Sequence, residues 1–263
     1  MSDAFIGKYG PWALVAGASE GLGAEFATQL ARRGLNLLLV ARRAEVLAVL
    51  ADKLRADYKV EVKTAALDLA APDLHARAVA AADGLDVGLV VYNAAASSIG
   101  YFLDRPLDEA LRIVDVNCRG PVILAHEFGG RMVARGRGGI LLMSSLAASQ
   151  GSPIVSTYAA SKAFDLVLAE GLWDELRGRG VDVLACRAGA TLTPNYIDSK
   201  PAGRVPTMEP APVVAEALAA LGRKPSMVPG WINAFSVFFL SRLLPRRAAI
   251  QIMGATSRKL YVR

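Results

Sequence analysis

The feature that most constrains the fold is an alternation of short apolar runs with longer segments of helical period. Strand-length apolar runs at 12–16, 35–40 and 60–67 are separated by helical segments at 25–33 and 45–58. The pattern continues with predicted strands at 87–92, 140–144 and 181–187 and with helices near 108–131 and 157–177. Near-continuous apolar strands joined by helices predict a parallel sheet covered on both faces, so we expect a doubly wound α/β fold.

Length, charge and targeting signals narrow the class of protein. The 263 residues, 53% of them hydrophobic, fit a single large domain over 1–263. The net charge of +6 comes from scattered basic residues, which favours a phosphate-bearing cofactor over nucleic acid as the anionic partner. The chain does not open with a basic segment followed by an apolar stretch, so we expect a cytoplasmic protein.

Cysteine and histidine spacing gives no sign of a disulfide framework or a metal site. Cys118 and Cys186 lack CxxC spacing, and we interpret both as buried or inert thiols. His75 and His126 have no Cys, Asp or Glu nearby at a ligand spacing. We therefore predict no metal.

A glycine-rich turn lies between the first predicted strand and the first predicted helix. It reads Ala16-Gly17-Ala18-Ser19-Glu20-Gly21-Leu22-Gly23. Glycines there let the backbone turn sharply and approach a pyrophosphate, whose charge is stabilised by the amides and dipole of a helix N-terminus. Such a string also marks ordinary turns, but its place between a strand and a helix favours dinucleotide binding by this turn. The predicted cofactor-binding residues in it are Gly17, Ser19, Gly21, Leu22 and Gly23.

The end of the second predicted strand indicates which dinucleotide is bound. An acidic side chain there would hold the ribose 2′-hydroxyl of NAD, whereas this chain has Arg42 and Arg43. Guanidinium groups form charge-assisted bonds with a 2′-phosphate, so NADP(H) is predicted in preference to NAD(H). The alternative is that either arginine only starts a solvent-exposed helix. Asp68, followed by Leu69, is placed either to accept a bond from the adenine amino group or to cap a helix.

A tyrosine and a lysine four residues apart carry the acid/base chemistry. Tyr158 and Lys162 lie in a segment of helical period, so both side chains project from one helix face. A free phenol has a pKa near ~10, and a nearby ammonium lowers it by favouring the phenolate. Ser145 ends the fifth predicted strand, where its hydroxyl would polarise the carbonyl oxygen that the phenol protonates. A Tyr-Lys pair alone has a high chance rate, so the prediction depends on its combination with the other motifs.

Taken together, the motifs resemble the short-chain dehydrogenase/reductase family over about residues 12–194. The matching positions are the glycine turn, Asn93 after the fourth strand, Asn117 in Val116-Asn117-Cys118-Arg119-Gly120, Ser145, Tyr158 and Lys162. Residues 9–12 and 230–260 are similar to the branch that includes 3-oxoacyl and hydroxysteroid reductases. The resemblance implies a single Rossmann domain with a parallel seven-stranded sheet and helices on both faces. It also implies a homodimer or homotetramer, often packed through the helices that carry Asn117 and Tyr158.

The resemblance implies a role for each matching catalytic residue. Tyr158 would be the general acid for reduction or the base for oxidation, and Ser145 would orient the substrate oxygen. Lys162 would lower the phenol pKa and bind the nicotinamide ribose, while Asn117 would support a water chain that resupplies the proton. Asn93 would line the cofactor and stabilise the central sheet.

Residues 187–193 resemble the family's PG loop, with Thr193 near the nicotinamide carboxamide. The cofactor-binding residues predicted there are Gly189, Thr191 and Thr193. The chain departs from the family pattern in the glycine turn, in the NNAG element and before Gly189, at Ala16, Tyr92, Ala95 and Ala188. None of these departures removes a group that hydride transfer requires.

Two later segments are predicted to shape the substrate site. Residues 190–212, rich in Pro and Thr, predict a mobile substrate loop, and residues 230–262 predict a C-terminal helical segment. The aromatic cluster in the second segment is interpreted as core or oligomer packing, with a substrate wall as the alternative. A third interpretation is an amphipathic segment that contacts a membrane through its arginines. The residues concerned are Trp231, Phe235, Phe238, Phe239, Arg242, Arg246 and Arg247.

The leading hypothesis is an NADP(H)-dependent oxidoreductase that interconverts a ketone and a secondary alcohol. By resemblance, the small-molecule substrate is bulky and apolar, of acyl, steroid-like or lipid-like character. The alternative is a sensor or scaffold that binds the dinucleotide without turning it over. The presence of Asn117, Ser145, Tyr158 and Lys162 counts against that alternative.

Overall fold

A parallel seven-stranded sheet forms the centre of the computed structural model, which describes residues 2–199 and 205–261. The strand order is β3-β2-β1-β4-β5-β6-β7. The strands are β1 Trp12–Ala16, β2 Asn36–Ala41, β3 Val62–Ala66, β4 Val87–Tyr92, β5 Gly138–Ser145, β6 Val181–Ala188 and β7 Ser226–Met227. The order reverses between β1 and β4, which is the switch point of a doubly wound sheet. The predicted fold class is therefore confirmed.

Helices connect the strands and cover the sheet. They are α1 Ser2–Tyr9, α2 Gly21–Arg32, α3 Ala44–Tyr58, α4 Leu74–Ala81, α5 Leu107–Val114, α6 Gly120–Ala134, α7 Ser156–Arg177, α8 Pro194–Asp198, α9 Pro210–Ala220, α10 Trp231–Phe238 and α11 Arg246–Tyr261. Single 3₁₀ turns at Phe102–Asp104 and Leu146–Ser149 and π-helical turns at Asp115–Arg119 and Phe239–Leu243 complete the described elements. The short helix α1 before the first strand was not predicted from the sequence.

Both faces of the sheet are buried, which explains the unbroken apolar runs in the sequence. In β1, Ala13 and Val15 belong to a core layer shared with α2, α3 and α9. Trp12 and Leu14 belong to the opposite layer, which is shared with α4, α6 and α7. Successive strand residues point to opposite faces, so a strand covered on both sides is apolar at every position.

The helix predicted near 108–131 is wrong in one respect, because a π-helical turn at Asp115–Arg119 divides it into α5 and α6. The Tyr92 hydroxyl donates a 2.5 Å hydrogen bond to the Val116 carbonyl, which competes for an acceptor of the helical ladder. Gly120 follows at the point of closest approach, where an added Cβ would lie 2.1 Å from the Tyr92 hydroxyl oxygen. A side chain inserted into the ladder is a recognised cause of such a turn.

The predicted substrate loop at 190–212 is only partly without regular structure. It contains α8, and Thr191 forms an isolated parallel bridge with Met208 before α9 begins. Residues 200–204 of this prediction lie outside the described residues, as does residue 262 of the predicted C-terminal segment.

The aromatic side chains of α10 do not pack in the core. The sequence-based interpretation of this cluster was core or oligomer packing, and the interpretation as core packing is wrong. Trp231 is 80% exposed and Phe235 is 65% exposed. The buried side of α10 consists instead of Asn233 and Val237, which occupy the contact with the rest of the chain.

No helix among the described residues is long and apolar enough to cross a membrane. Of the two cysteines, Cys118 is half-buried on the π-helical turn and Cys186 is fully buried in β6. Burial raises the pKa of the Cys186 thiol to about 12, so that thiol is protonated at neutral pH.

Replacing Phe128 tests the core layer under α6. Its ring is fully buried, so Phe128→Ala should lower the free energy of unfolding by about 3–5 kcal/mol, measured by urea titration. The matched control is Phe102→Ala, because that ring is 59% exposed and its loss should change the stability by no more than about 0.5 kcal/mol. Equal effects of the two substitutions would contradict this assignment of the core.

Candidate active site

A cavity of about 710 Å³ opens at the carboxyl ends of the strands. Because the strands are parallel, the residues that follow them meet at one edge of the sheet. The predicted site residues that line the cavity are Gly17, Ser19, Gly21, Leu22, Arg42, Arg43, Asp68, Leu69, Asn93, Ser145, Tyr158, Lys162, Gly189, Thr191 and Thr193. Two predicted residues, Gly23 and Asn117, are not part of the cavity lining but support it from behind.

The glycine turn is held closed by contacts that leave no room for a side chain. The Asn93 amide donates a 3.0 Å hydrogen bond to the Gly17 carbonyl and so joins the ends of β4 and β1. Gly17 has a φ of +80°, which glycine adopts without strain. A Cβ added at Gly23 would lie 1.9 Å from the Gly17 carbonyl oxygen. The helix α2 therefore begins directly against the turn, with its N-terminal amides beside the cavity.

The two arginines after β2 have different surroundings. Arg43 donates a 3.1 Å hydrogen bond to the Ser19 hydroxyl and pairs with the Glu20 carboxylate at 2.8 Å. Arg42 is exposed at the cavity and forms no ion pair within 2–199 and 205–261. Arg42 is therefore the guanidinium free to meet an added anion, while Arg43 is already tied to the glycine turn.

Asp68 lines the cavity and is held by protein groups. Its carboxylate accepts bonds from Arg112 at 3.0 and 3.1 Å and from the Ala70 amide at 3.0 Å. Burial by itself would raise the pKa of Asp68, but the Ala70 and Arg112 hydrogen bonds outweigh it and lower the pKa below its usual value. Asp68 thus closes a turn before α4 rather than capping the helix, which begins at Leu74.

Lys162 is buried under the cavity floor and is paired with a residue that sequence reasoning missed. Its ammonium donates to the Met143 carbonyl at 2.8 Å and to the Asp165 carboxylate at 2.9 Å. The two charged side chains are 3% and 2% exposed. Burial raises the pKa of Asp165, and the Lys162 ammonium opposes that rise. The spacing of three residues on one helix face was the available sequence signal.

Tyr158 and Ser145 stand at the cavity wall beside this lysine. The Tyr158 side chain is half-buried, one helical turn before Lys162 on α7. The Ser145 oxygen accepts a 3.2 Å bond from the Ala147 amide, which caps the following 3₁₀ turn. This bond uses a lone pair and leaves the hydroxyl proton available to an acceptor in the cavity.

Asn117 anchors the loop after β4 to α7. Its side chain accepts from the Ala96 amide at 2.7 Å and donates to the Ala96 carbonyl and the Ser161 hydroxyl, each at 2.9 Å. It is fully buried within the π-helical turn. The side-chain amide is thus occupied by protein partners, and the water chain expected near Asn117 stays a prediction.

The loop after β6 lines the cavity and packs against the glycine turn. The Thr191 hydroxyl donates to the Gly189 carbonyl at 3.1 Å, and the Thr193 hydroxyl caps α8 by accepting from the Tyr196 amide at 3.3 Å. A Cβ at Gly21 would lie 2.9 Å from the Thr193 methyl group, so this loop lies directly against the glycine turn.

A further wall of the cavity comes from the two segments predicted to shape the substrate site, through residues that were not predicted individually. They belong to α8, the segment after it and α11: Tyr196, Ser199, Val205, Met253, Thr256, Ser257, Leu260 and Tyr261. Burial raises the pKa of Tyr261, and the Tyr196 and Tyr158 phenols add to this, while a hydrogen bond with Ser199 opposes it. Only the long-range fold of the chain brings α11 to this position.

The chain matches the family described as short chain dehydrogenase over residues 11–202. It is 35% identical over 236 residues to the 7beta-hydroxysteroid dehydrogenase of Collinsella aerofaciens, covering 88% of this chain and 90% of the relative. It is 34% identical over 251 residues to the very-long-chain 3-oxoacyl-CoA reductase of Aspergillus clavatus, covering 91% and 72%.

Solved structures agree with the sequence comparison. A 7beta-hydroxysteroid dehydrogenase superposes with a TM-score of 0.89 at 33% identity, covering 94% of this chain and 98% of that one. A short-chain dehydrogenase from Sphingobium yanoikuyae in complex with NADPH superposes with a TM-score of 0.76 at 32% identity, covering 83% and 87%. The chain belongs to the short-chain dehydrogenase/reductase family of oxidoreductases, in its hydroxysteroid and 3-oxoacyl branch.

Gly23→Ala should disrupt the glycine turn, because the new methyl group would overlap the Gly17 carbonyl oxygen. We expect a loss of about 1–3 kcal/mol in the free energy of unfolding, measured by thermal and urea titration. Gly130→Ala is the matched control, since Gly130 is helical, exposed and without a neighbour within 4 Å of the added Cβ. That change should stabilise the protein by about 1 kcal/mol. A tolerated alanine at Gly23 would disprove the close approach.

Proposed function

We propose that the protein is an NADP(H)-dependent oxidoreductase that interconverts a ketone and a secondary alcohol, with Tyr158 as the general acid/base. The observation that carries the proposal is the meeting of Ser145, Tyr158 and Lys162 in one cavity with the glycine turn and Arg42. The Tyr158 phenol, the Ser145 hydroxyl and the buried Lys162 ammonium suit the protonation of a carbonyl oxygen. The glycine turn and Arg42 suit the binding of dinucleotide phosphates.

The residues present fit a nicotinamide dinucleotide. Gly17 and Gly21 of the glycine turn line the cavity without side chains, and the N-terminus of α2 begins at Gly21 beside it. Gly17, Ser19, Gly21 and Leu22 would hold the pyrophosphate, and Asn93 would line the cofactor. Thr191 and Thr193 would meet the nicotinamide end. The bound dinucleotide would supply the hydride.

In the reductive direction, the Ser145 hydroxyl would donate a hydrogen bond to the substrate carbonyl oxygen and hold it beside the phenol. The Tyr158 hydroxyl would then donate its proton to that oxygen as negative charge develops on it. Lys162 would stabilise the resulting phenolate, because a buried cation acts through a poorly screened medium. In the oxidative direction, the phenolate would accept the proton from the alcohol.

The preference for NADP(H) is supported by charge. Arg42 forms no ion pair in the described ranges, and its charge only adds to the lowering of the pKa of Asp68, whose carboxylate is bonded to Arg112. Neither side chain is therefore placed to bind a ribose 2′-hydroxyl in the way an acidic residue after β2 would. The NADPH complex of the Sphingobium yanoikuyae relative is consistent with this choice.

The substrate we propose is a bulky apolar ketone of steroid or long-chain acyl type. The cavity wall that α8, the segment after it and α11 form includes Met253, Leu260 and Val205 with the aromatic rings of Tyr196 and Tyr261. Such a surface suits an extended apolar body with few polar groups. The names of the hydroxysteroid and 3-oxoacyl relatives point to the same class of compound.

A homodimer or homotetramer is supported by an exposed apolar surface on α5, α6 and α7. The side chains exposed there are Leu107, Leu111, Val114, Val122, Phe164 and Val167. Apolar surface on this scale marks an association surface. It lies on the helices expected from the family resemblance, and we propose that the subunits pack through it.

Tyr158→Phe tests the role of the phenol, because it removes the proton and leaves the ring. We expect kcat to fall by about 10²–10⁴-fold on an apolar ketone, with NADPH binding retained. Tyr196→Phe is the matched control, since this second tyrosine of the cavity wall has no proposed part in proton transfer. Full turnover by Tyr158→Phe would disprove the assignment. Wild-type protein that binds NADPH but reduces nothing in a broad ketone panel would favour the sensor alternative.

Arg42→Ala tests the choice of cofactor. The loss of a charged hydrogen bond should weaken NADPH binding by about 10- to 100-fold and leave NADH binding unchanged, measured by titration calorimetry. Arg179→Ala serves as the control, because Arg179 is exposed on the turn after α7 and lies outside the cavity lining. Tighter binding of NADH than of NADPH by the wild-type protein would contradict the proposal.

A further inference from the structure

One face of α10 and of the π-helical turn after it is apolar and uncovered. Trp231, Phe235 and Phe238 recur at spacings of four and three residues, so they share one side of the helix. The exposed apolar side chains of this surface, here named the α10 outer face, are Trp231, Ile232, Phe235, Phe238, Phe239 and Leu243. Leu243, at its end, is still 60% exposed. The face is therefore a continuous apolar surface rather than a single stray side chain.

The opposite side of α10 fixes this orientation. Asn233 and Val237 are buried, and the Asn233 amide donates a 3.1 Å bond to the Pro229 carbonyl. Asn233 also lies against Gly189, where an added Cβ would be 2.8 Å from its amide nitrogen. Asn233 thus anchors α10 beside the cavity, and the aromatic rings of α10 face outward.

The basic residues are scattered along the chain, but its last part has no acidic residues to balance them. Residues 217–263 contain eight Lys and Arg and no Asp or Glu, whereas residues 1–216 contain 22 Lys and Arg and 24 Asp and Glu. Three exposed arginines border the α10 outer face at its C-terminal end. Arg242 lies just before Leu243, and Arg246 and Arg247 follow shortly after it. None of the three forms an ion pair in the described part of the chain. The apolar face is therefore bordered by unneutralised cations.

We propose that the α10 outer face binds peripherally to an anionic lipid bilayer. Aromatic and aliphatic side chains enter the boundary between headgroups and acyl chains, while flanking arginines meet anionic headgroups. Charge favours an anionic bilayer over a second copy of the chain as the partner of this face. A two-fold contact through the same face would bring Arg242, Arg246 and Arg247 of both subunits together without acidic partners from residues 217–263.

The α10 outer face lies close in sequence to the helix that forms part of the cavity wall. The π-helical turn leads through Leu244 and Pro245 into α11, whose Met253 and Leu260 line the cavity wall. An apolar ligand dissolved in the bilayer would therefore reach the protein on the side where this wall is formed. The lipid contact itself does not depend on the proposed ketone reduction.

Co-sedimentation with vesicles tests the electrostatic part. Vesicles of phosphatidylcholine mixed with phosphatidylglycerol should bind the full chain, and vesicles of phosphatidylcholine alone should bind it more weakly. Each basic residue near an anionic surface contributes about fivefold in partitioning, so Arg246→Gln with Arg247→Gln should weaken binding about 25-fold. Lys53→Gln with Arg179→Gln removes the same charge from exposed positions on other elements and should leave binding unchanged. An equal loss in both double variants would overturn the assignment to this face.

The apolar part is tested on the same vesicles. Phe235→Ser with Phe238→Ser should abolish binding, whereas Val49→Ser with Leu103→Ser, at positions 72% and 91% exposed, should not. Vesicles should shift the tryptophan emission to shorter wavelength, and Trp231→Phe should remove that shift. The other two tryptophans lie elsewhere, because Trp12 is buried in the core and Trp173 packs on α7 beneath Arg177. Absence of binding to anionic vesicles overturns the proposal. So does dissociation of an oligomer by the Phe235 and Phe238 changes without lipid, because a second copy would then cover the face. Reduction of a water-soluble ketone, measured in parallel, reports on the proposed activity separately.

Discussion

The parallel direction of all strands in the described sheet is the constraint on which the candidate site depends. It places the carboxyl ends of β1 to β6 at one edge, so that segments far apart in sequence contribute to one cavity. The order reverses between β1 and β4, and a crevice opens there because the connections leave in opposite directions. The Asn93 side-chain bond to the Gly17 carbonyl crosses that reversal. Together with the backbone bonds of Asn93 and Ala94 to the Ala16 carbonyl, it couples the glycine turn to the segment after β4.

The buried charge of Lys162 is the second constraint, and it explains why Asp165 is present. An ammonium away from water requires an ionised or hydrogen-bonded partner, and removing one member of such a pair costs about 3–5 kcal/mol. Two of its three protons are bound by Met143 and Asp165, which leaves one proton for a ligand in the cavity. Asp165 also reduces the field that Lys162 exerts at Tyr158. Asp165 therefore makes the burial of the Lys162 charge possible, but it also weakens the effect of that charge on the Tyr158 phenol.

Local patterns were sufficient for most of the cavity edge, because strand ends and the glycine turn depend on neighbouring residues. The positions of β1 to β6 to within about two residues, the turn at Gly17 and the helix that carries Tyr158 could be predicted in this way, whereas the short strand β7 was not. The π-helical turn could not, since it arises from contacts of Tyr92 with Val116 and Gly120 across the core. The wall formed by Met253 and Tyr261 depends on α11 returning over the loop after β5. No periodicity in the sequence encodes that return.

The C-terminal part of the chain has two surfaces with different physical requirements. The inner side of α11 packs on the loop after β5, where a Cβ at Gly254 would lie 3.1 Å from the Pro153 ring, and so completes the cavity. The outer side of α10 gains nothing from the core and leaves large apolar side chains in water, at a cost of about 25 cal/mol for each Å². That cost persists unless another phase or chain covers the face. The surrounding arginines repel a like-charged copy and attract anionic headgroups, so electrostatics and hydrophobicity favour the same occupant.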